Sequence, residues 1–256
     1  MKNNIHAHVP YGRLAEHMEF AIAHRINPEV FFSADALDKL IWEELSSLAE
    51  SLHAAGLNTT IHAPFWDLNP GAVDPSIRAA SHHRIQQVMQ AAELLHPQVI
   101  VVHPGYDDLH YKDNRLEWLK NSIDFWQGFI PRVRDLGTVL AVENIYEKEP
   151  STIKALLDAI DDPGFRHCFD VGHWNMFATV TIEEWFSELG GYIVESHIHD
   201  NHGQSDEHLP VGEGGIDFDH FFPLLTQYAP SAVWTIEAHN TEHLQRALKN
   251  IQNFVF

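Results

Sequence analysis

The sequence predicts a single (β/α)8 barrel spanning residues 1–256, on three observations. Short apolar runs alternate with longer amphipathic stretches eight times along a chain of 256 residues, the usual size of such a barrel. The first strand–helix turn reads His8-Val9-Pro10-Tyr11-Gly12-Arg13, without the glycine-rich fingerprint that opens many doubly wound sheets. No Pro/Gly/Ser-rich linker interrupts the alternation, so one domain is expected.

The strands are expected near Asn4–Val9, Glu29–Phe32, Thr59–Ala63, Val99–His103, Val139–Asn144, His167–Val171, Tyr192–His197 and Ala232–Glu237. Each is a run of four to six mostly apolar or β-branched residues bounded by polar or turn-forming ones. Between them, Ser76–Leu95 places Ile77, Ala80, Ile85, Val88, Ala92 and Leu95 at helical spacing, and Trp118–Leu136 does the same with Leu119, Ile123, Trp126, Phe129 and Val133. The other helices are expected over Leu14–His24, Ala36–Ala55, Ser151–Ile160, Ile182–Leu189, Phe218–Tyr228 and Thr241–Gln252. Thr181 before Ile182-Glu183-Glu184 and Ser151-Thr152 after Pro150 supply N-cap chemistry.

Composition bounds the function. With 45% hydrophobic residues the chain can bury a sizeable core. Lys+Arg 16 against Asp+Glu 36 leaves a net charge of −20, a field that disfavours nucleic acid and anionic membranes as partners. The single cysteine, Cys168, excludes an intrachain disulfide and fits packing within the sixth strand in a reducing compartment. Met1-Lys2-Asn3-Asn4 opens without an apolar signal region, and no run is long enough to span a membrane, so the expected location is cytoplasmic.

The densest chemistry lies in His197-Ile198-His199-Asp200-Asn201-His202, followed by Asp206-Glu207-His208 and Gly212-Glu213-Gly214. Imidazole nitrogen and carboxylate oxygen are the ligands that zinc, manganese and iron(II) share. On a strand, His197 and His199 point to opposite faces, so only one is expected to look inward, and His197 is chosen. Asp206 and His208 can fold back over the same site from the loop. Elsewhere, His8, His62, His103, Glu143, Asp170 with His173, and Glu237 each stand at or just past the end of a different predicted strand. Strand ends converge at the C-terminal mouth of a barrel, where its active sites lie. A lone strand-end acid or Asp-x-x-His is ordinary, usually a capping or ion-paired residue. Several on different strands, in a chain short of basic partners, favour a metal centre. Gly172 is expected to allow the bend that brings Asp170 and His173 to one ion. Trp66 and Trp174 are candidates for the wall of a sugar pocket, and His8 for a substrate contact, whereas Trp126 is assigned to the core. His53, His82, His83, His96, His110, His220 and His243 are assigned to the surface; His202 and His239 stay open.

The order His62, His103, Glu143, Asp170-x-x-His173, His197, Asp206-x-His208, Glu237 resembles the trinuclear metal set of the endonuclease IV family, and Ala7-His8-Val9 and Gly212-Glu213-Gly214 are similar too. More broadly the chain resembles the xylose-isomerase-like TIM barrels, whose sugar-phosphate branch is suggested by Ile61-His62-Ala63-Pro64-Phe65 and His199-Asp200-Asn201. That resemblance implies a metal site of Glu143, Asp170, His197 and Glu237, and isomerase or epimerase chemistry. A divalent metal would hold adjacent carbonyl and hydroxyl oxygens and an enediolate, with Glu143 and Glu237 passing the proton. It also implies a catalytic role for Glu149, six residues after Glu143; the arginine that the branch carries six residues after its strand-seven histidine is Gly203 here. The endonuclease IV resemblance instead implies phosphoester hydrolysis with two or three ions. The acidic charge and the scarcity of basic residues around the mouth point to a small phosphoester rather than DNA. Zinc or manganese is the expected ion, with iron, cobalt or magnesium as alternatives and one to three ions bound. The partner is a carbohydrate or phosphorylated small molecule. A non-catalytic metal-binding barrel ranks third, and the oligomeric state is open.

Overall fold

The structure, a computed structural model, describes residues 5–255; Asn4, the expected start of the first strand, lies outside them. The chain begins β1 (Ile5–Pro10), α1 (Tyr11–His24), β2 (Asn27–Phe31), α2 (Ala34–Asp38), α3 (Trp42–Ala54), β3 (Thr60–His62), α4 (Pro75–Leu95) and β4 (Val99–Val102). It continues α5 (Asp108–Tyr111), α6 (Arg115–Gln127), α7 (Ile130–Leu136), β5 (Val139–Glu143), α8 (Ser151–Ile160) and β6 (Phe165–Asp170). It ends α9 (Val171–Phe177), α10 (Ile182–Leu189), β7 (Ile193–Ile198), α11 (Phe218–Tyr228), β8 (Val233–Ile236) and α12 (Thr241–Val255). The strands pair in parallel in chain order, and β8 closes on β1. This is a (β/α)8 barrel, as the alternation predicts.

Two expected helices are each broken in two. In the 36–55 stretch, the Lys39 N–H bonds back to Asp35 and Leu40 closes on Leu37. Ile41 is extended, and the helix restarts with Glu43 and Glu44 in its first turn, where the helix dipole favours acids. In the 118–136 stretch, Gly128 caps α6, and Pro131 restarts α7 at a position where its missing N–H costs nothing. Strand six starts at Phe165, earlier than expected, and stops at Asp170, because the Asp170 carboxylate accepts the His173 N–H at 2.6 Å and caps a helix that begins with Val171.

Alternation along the strands sorts the side chains. Ile100, Val102, Leu140, Val142 and Phe169 face the helices within the main apolar core, while Val99, Val101, Ala141, Cys168 and Val233 form a separate small cluster. The residues sharing that inward parity toward the C-terminal end are His62, His103, Glu143, Asp170, His197 and Glu237. Barrel closure therefore gathers one titratable residue from each of several strands at one rim. Trp126 and Cys168 are fully buried, as expected. Among the described residues, no helix is long and apolar enough to cross a membrane.

Candidate metal centre

Glu143 ends β5 and is the hub of the mouth. Its Oε2 lies 3.2 Å from both His62 Nε2 and His103 Nε2. Its Oε1 lies 3.1 Å from His173 Nδ1 and 3.4 Å from His197 Nδ1. Four histidines converge on one carboxylate that is 1% exposed. Burial pushes this carboxyl up, but His197 and His103 beside it outweigh that and hold it well below the usual range. Asn144 fastens the strand end next door: its Oδ1 accepts the Asp170 N–H and its Nδ2 donates to the Asp170 carbonyl, both at 2.9 Å. That pair of bonds extends the β5–β6 ladder by a side chain and fixes Glu143 and Asp170 relative to one another.

His197 stands beside Asp170 in the ladder and is fully buried. Its Nδ1 faces Glu143 Oε1 at 3.4 Å, Glu237 Oε1 at 3.4 Å and Asp170 Oδ2 at 3.7 Å, yet has no hydrogen-bond partner. A buried, unpartnered imidazole nitrogen ringed by three carboxylates is expensive unless something positive stands between them. The donor set, one nitrogen and carboxylate oxygens from β5, β6 and the residue after β8, suits a divalent cation.

A second group sits closer to solvent. His199 Nε2 approaches Asp170 at 3.3 Å, Asp206 Oδ1 at 3.8 Å and Glu237 Oε2 at 3.9 Å. His208 lies 3.6 Å from Glu237 Oε2 and 3.0 Å from Asp206 Oδ2. The His199 and His208 rings stack at 4.1 Å, and His239 stacks on His208 at 4.9 Å. His199, His208 and Glu237 form one candidate ligand cluster, Glu143, Asp170 and His173 another, and His62, Glu143 and His197 a third. His173 also reaches Asp206 with Nε2 at 3.6 Å. Burial lowers the His208 imidazole, but Asp206 and Glu237 outweigh it and raise it to about 9. His173 is likewise raised well above its usual value, burial being outweighed by Asp170, Asp206 and Glu143.

The expectation that only one of His197 and His199 looks inward is corrected. β7 stops at Ile198, so the alternation no longer applies to His199, whose ring turns back into the mouth. Gly172 has a different use from the one expected: it is helical, and a Cβ there would stand 2.0 Å from His199 Cε1. Its missing side chain admits the ring.

The loop that carries Asp206 and His208 is held by Asp200. That buried carboxylate accepts the N–H groups of Gly212, Gly214, Ile216 and Asn201 at 2.7–3.1 Å, and Asp200 pairs with Leu209 in an isolated antiparallel bridge. Gly214 must be glycine, because a Cβ would meet Asp200 Oδ1 at 2.4 Å.

Three expected residues are not brought to the cluster. Glu149 is exposed and turned onto Ser151, whose N–H it accepts at 2.9 Å. The buried acid of that loop is Glu147 instead. Trp66 stands 75% exposed on the rim, against Phe65. Trp174 packs on the main core with its indole N–H buried and unpartnered. His8 does reach the mouth, with Nδ1 2.9 Å from Glu29 Oε1 and 3.4 Å from Glu237 Oε1, and it lines a cavity of about 380 Å³ shared with Glu237 and His208. Sequence reasoning missed His199 and two fully buried carboxylates inside the barrel, Glu29 and Glu195. Glu195 precedes His197 by two and so shares its inward face; that spacing was the available signal.

Residues 18–254 match the family model described as xylose isomerase-like TIM barrel. The chain is 26% identical to L-ribulose-5-phosphate 3-epimerase UlaE of Escherichia coli over 79% of its length and 73% of that protein. It is 28% identical to a probable endonuclease 4 of Mycobacterium leprae over 68% of its length and 70% of that protein. Among solved structures, a D-tagatose 3-epimerase-like protein superposes with a TM-score of 0.84 at 24% identity, covering 98% of this chain and 97% of that one.

Proposed function

We propose that this chain, which belongs to the xylose isomerase-like TIM-barrel family, is a divalent-metal-dependent epimerase or isomerase of a sugar or sugar phosphate. The observation that carries the reading is the buried, unpartnered Nδ1 of His197 facing Glu143, Asp170 and Glu237. These four would hold a cation; zinc or manganese suits the mixed nitrogen and oxygen donors. Such an ion supplies Lewis acidity that polarises a sugar carbonyl and acidifies the neighbouring C–H.

The chain's own residues supply the rest. Epimerisation next to a carbonyl requires one group to take a proton from one face of the carbon and another to return it to the other. Glu143 at the end of β5 and Glu237 just past β8, three strands apart in the ring, are the carboxylates assigned to those tasks. His8, which with Glu237 and His208 borders a cavity of about 380 Å³ reaching toward the first and last helices, offers a polar contact at the edge of the mouth. Sugar epimerases among the relatives and structural neighbours support the substrate class.

A second reading, phosphoester hydrolysis at two or more ions, is favoured by the additional clusters around His199, His208 and Asp206 and around His62 and His103, and by the endonuclease 4 relative. A small phosphoester fits the −20 charge better than DNA does.

Two measurements separate the readings. Elemental analysis of protein purified without chelator or a His-tag column counts the ions. Incubation of ketoses and ketose phosphates in D2O with the loaded protein then reports exchange of the hydrogen next to the carbonyl by NMR. Exchange at one carbon with epimer formation is expected. Absence of exchange across the panel, with phosphate released from phosphoesters, would replace the first reading by the second. No bound metal under replete conditions would refute both.

A further inference from the structure

We propose that Glu29 is a positioning residue that sets the tautomers of two histidines at once, freeing His197 Nδ1 for a cation and His8 Nε2 for the substrate. The inference rests on the metal-centre reading above.

Glu29 lies on β2 and is fully buried, yet its two oxygens are divided between two elements. Oε1 is 2.9 Å from His8 Nδ1 on β1, and Oε2 is 3.1 Å from His197 Nε2 on β7. An ionised carboxylate only accepts hydrogen bonds, so each imidazole nitrogen that faces it carries the hydrogen. A neutral ring with its hydrogen on Nε2 has a bare lone pair on Nδ1. For His197 that lone pair points at the space among Glu143, Asp170 and Glu237, where the ring otherwise has no partner. Without Glu29 the hydrogen is free to move to Nδ1, where Glu143 Oε1 at 3.4 Å would accept it and the ring would cease to be a ligand. A carboxylate behind a metal-binding imidazole commonly fixes tautomer and ring orientation in this way.

The same logic acts on His8. With its hydrogen on Nδ1 and held by Glu29, the acceptor of this ring is Nε2, on a residue that lines the cavity beside Glu237. One buried acid thus orients a ligand on one side of the mouth and a substrate contact on the other. Glu195 stands close to it within the barrel, its Oε1 accepting from Thr235 Oγ1.

The test uses the full chain as wild type, Glu29→Gln and Glu29→Leu, with cobalt(II) alone as the probe. Glu29→Gln keeps an oxygen that accepts the His197 N–H and is expected to bind cobalt within about threefold of wild type. Glu29→Leu is expected to lose roughly 10–100-fold in affinity, read by chelator competition, and to change the visible spectrum of the bound cobalt. Long-range ¹H–¹⁵N NMR of histidine-labelled, zinc-loaded wild type is expected to place the His197 hydrogen on Nε2. That measurement needs no variant to fold. A wild type that binds cobalt while Glu29→Leu matches it, Glu29→Gln falling as far as Glu29→Leu, or a hydrogen on His197 Nδ1 would each overturn the role of Glu29 and leave the metal centre standing. Wild type that binds no cobalt would overturn the metal centre, and this inference with it.

Discussion

Glu147 gives the sharpest pH-dependent prediction. Its carboxyl is 5% exposed in the loop after β5; Oε2 accepts the Ile145 N–H at 2.7 Å, while Oε1 is buried without a partner. Burial raises this acid from 4.5 to about 7, with the backbone N–H groups of Ile145 and Glu147 opposing the shift. A raised carboxyl is held more tightly by the folded than by the unfolded chain. Glu147 therefore costs little below pH 4.5, and its cost grows as pH rises from 4.5 toward 7 and is complete above it. That rise corresponds to about 3 kcal/mol at full ionisation, of which about 2.5 kcal/mol develops between pH 5 and 8. Glu147→Gln has nothing to ionise. Its stability relative to wild type should climb by about that amount over the interval, or by ~5–10 °C in Tm for a chain of this size. Urea unfolding of the metal-free proteins at pH 5, 6, 7 and 8, in chelator, reads the difference directly. A difference that stays flat within ~0.5 kcal/mol, against the ~2.5 kcal/mol expected, would show that Glu147 ionises in the folded chain as it does in the unfolded one.

Glu237→Gln should lower turnover at least about 100-fold under either enzymatic reading while the barrel still folds; full activity with any identified substrate would refute the site. Under the multi-ion reading, affinity for the outer ion should rise with pH up to about 9, because His208, held near that value by Asp206 and Glu237, must shed its proton to bind it; cobalt titrations at pH 6, 7.5 and 9 check the slope, and an outer-ion affinity independent of pH would contradict it. Gly172→Ala places a Cβ 2.0 Å from the His199 ring and should cost about 1–3 kcal/mol by urea unfolding, together with the ion nearest His199. Asp200→Ala releases the N–H groups of Gly212, Gly214 and Ile216. Under the multi-ion reading it should remove the ion that depends on Asp206 and His208 while sparing the one at His197, as counted by elemental analysis.

Strand-end positions were legible because a parallel strand buried on both faces leaves few places for a charged residue other than its C-terminal end. His62, Glu143, Asp170 and Glu237 stand out against apolar runs for that reason. Glu29 did not, because the strand was expected to begin with it, which made it look like a boundary rather than an interior acid; β2 begins two residues earlier. His199 was hidden by the alternation rule, which fails once a strand ends. Glu149 is carried over from the family resemblance by its spacing from Glu143, and spacing along an irregular loop does not fix direction: its carboxylate turns outward onto Ser151, and Glu147 turns in. The two broken helices show the same limit, since a capped, one-turn interruption preserves the apolar period on either side.

Glu143, Asp170, His197 and Glu237 hang from the barrel ladder or its immediate edge, so they come with closure of the sheet. Asp206 and His208 do not; they belong to residues 201–216, a segment folded around a single carboxylate, that of Asp200. The ligands Asp206 and His208 are therefore supplied by a cassette that the barrel does not need in order to close. Exchange of that cassette would remove two candidate ligands without altering a strand, so the outer part of the mouth can change while the sheet stays as it is.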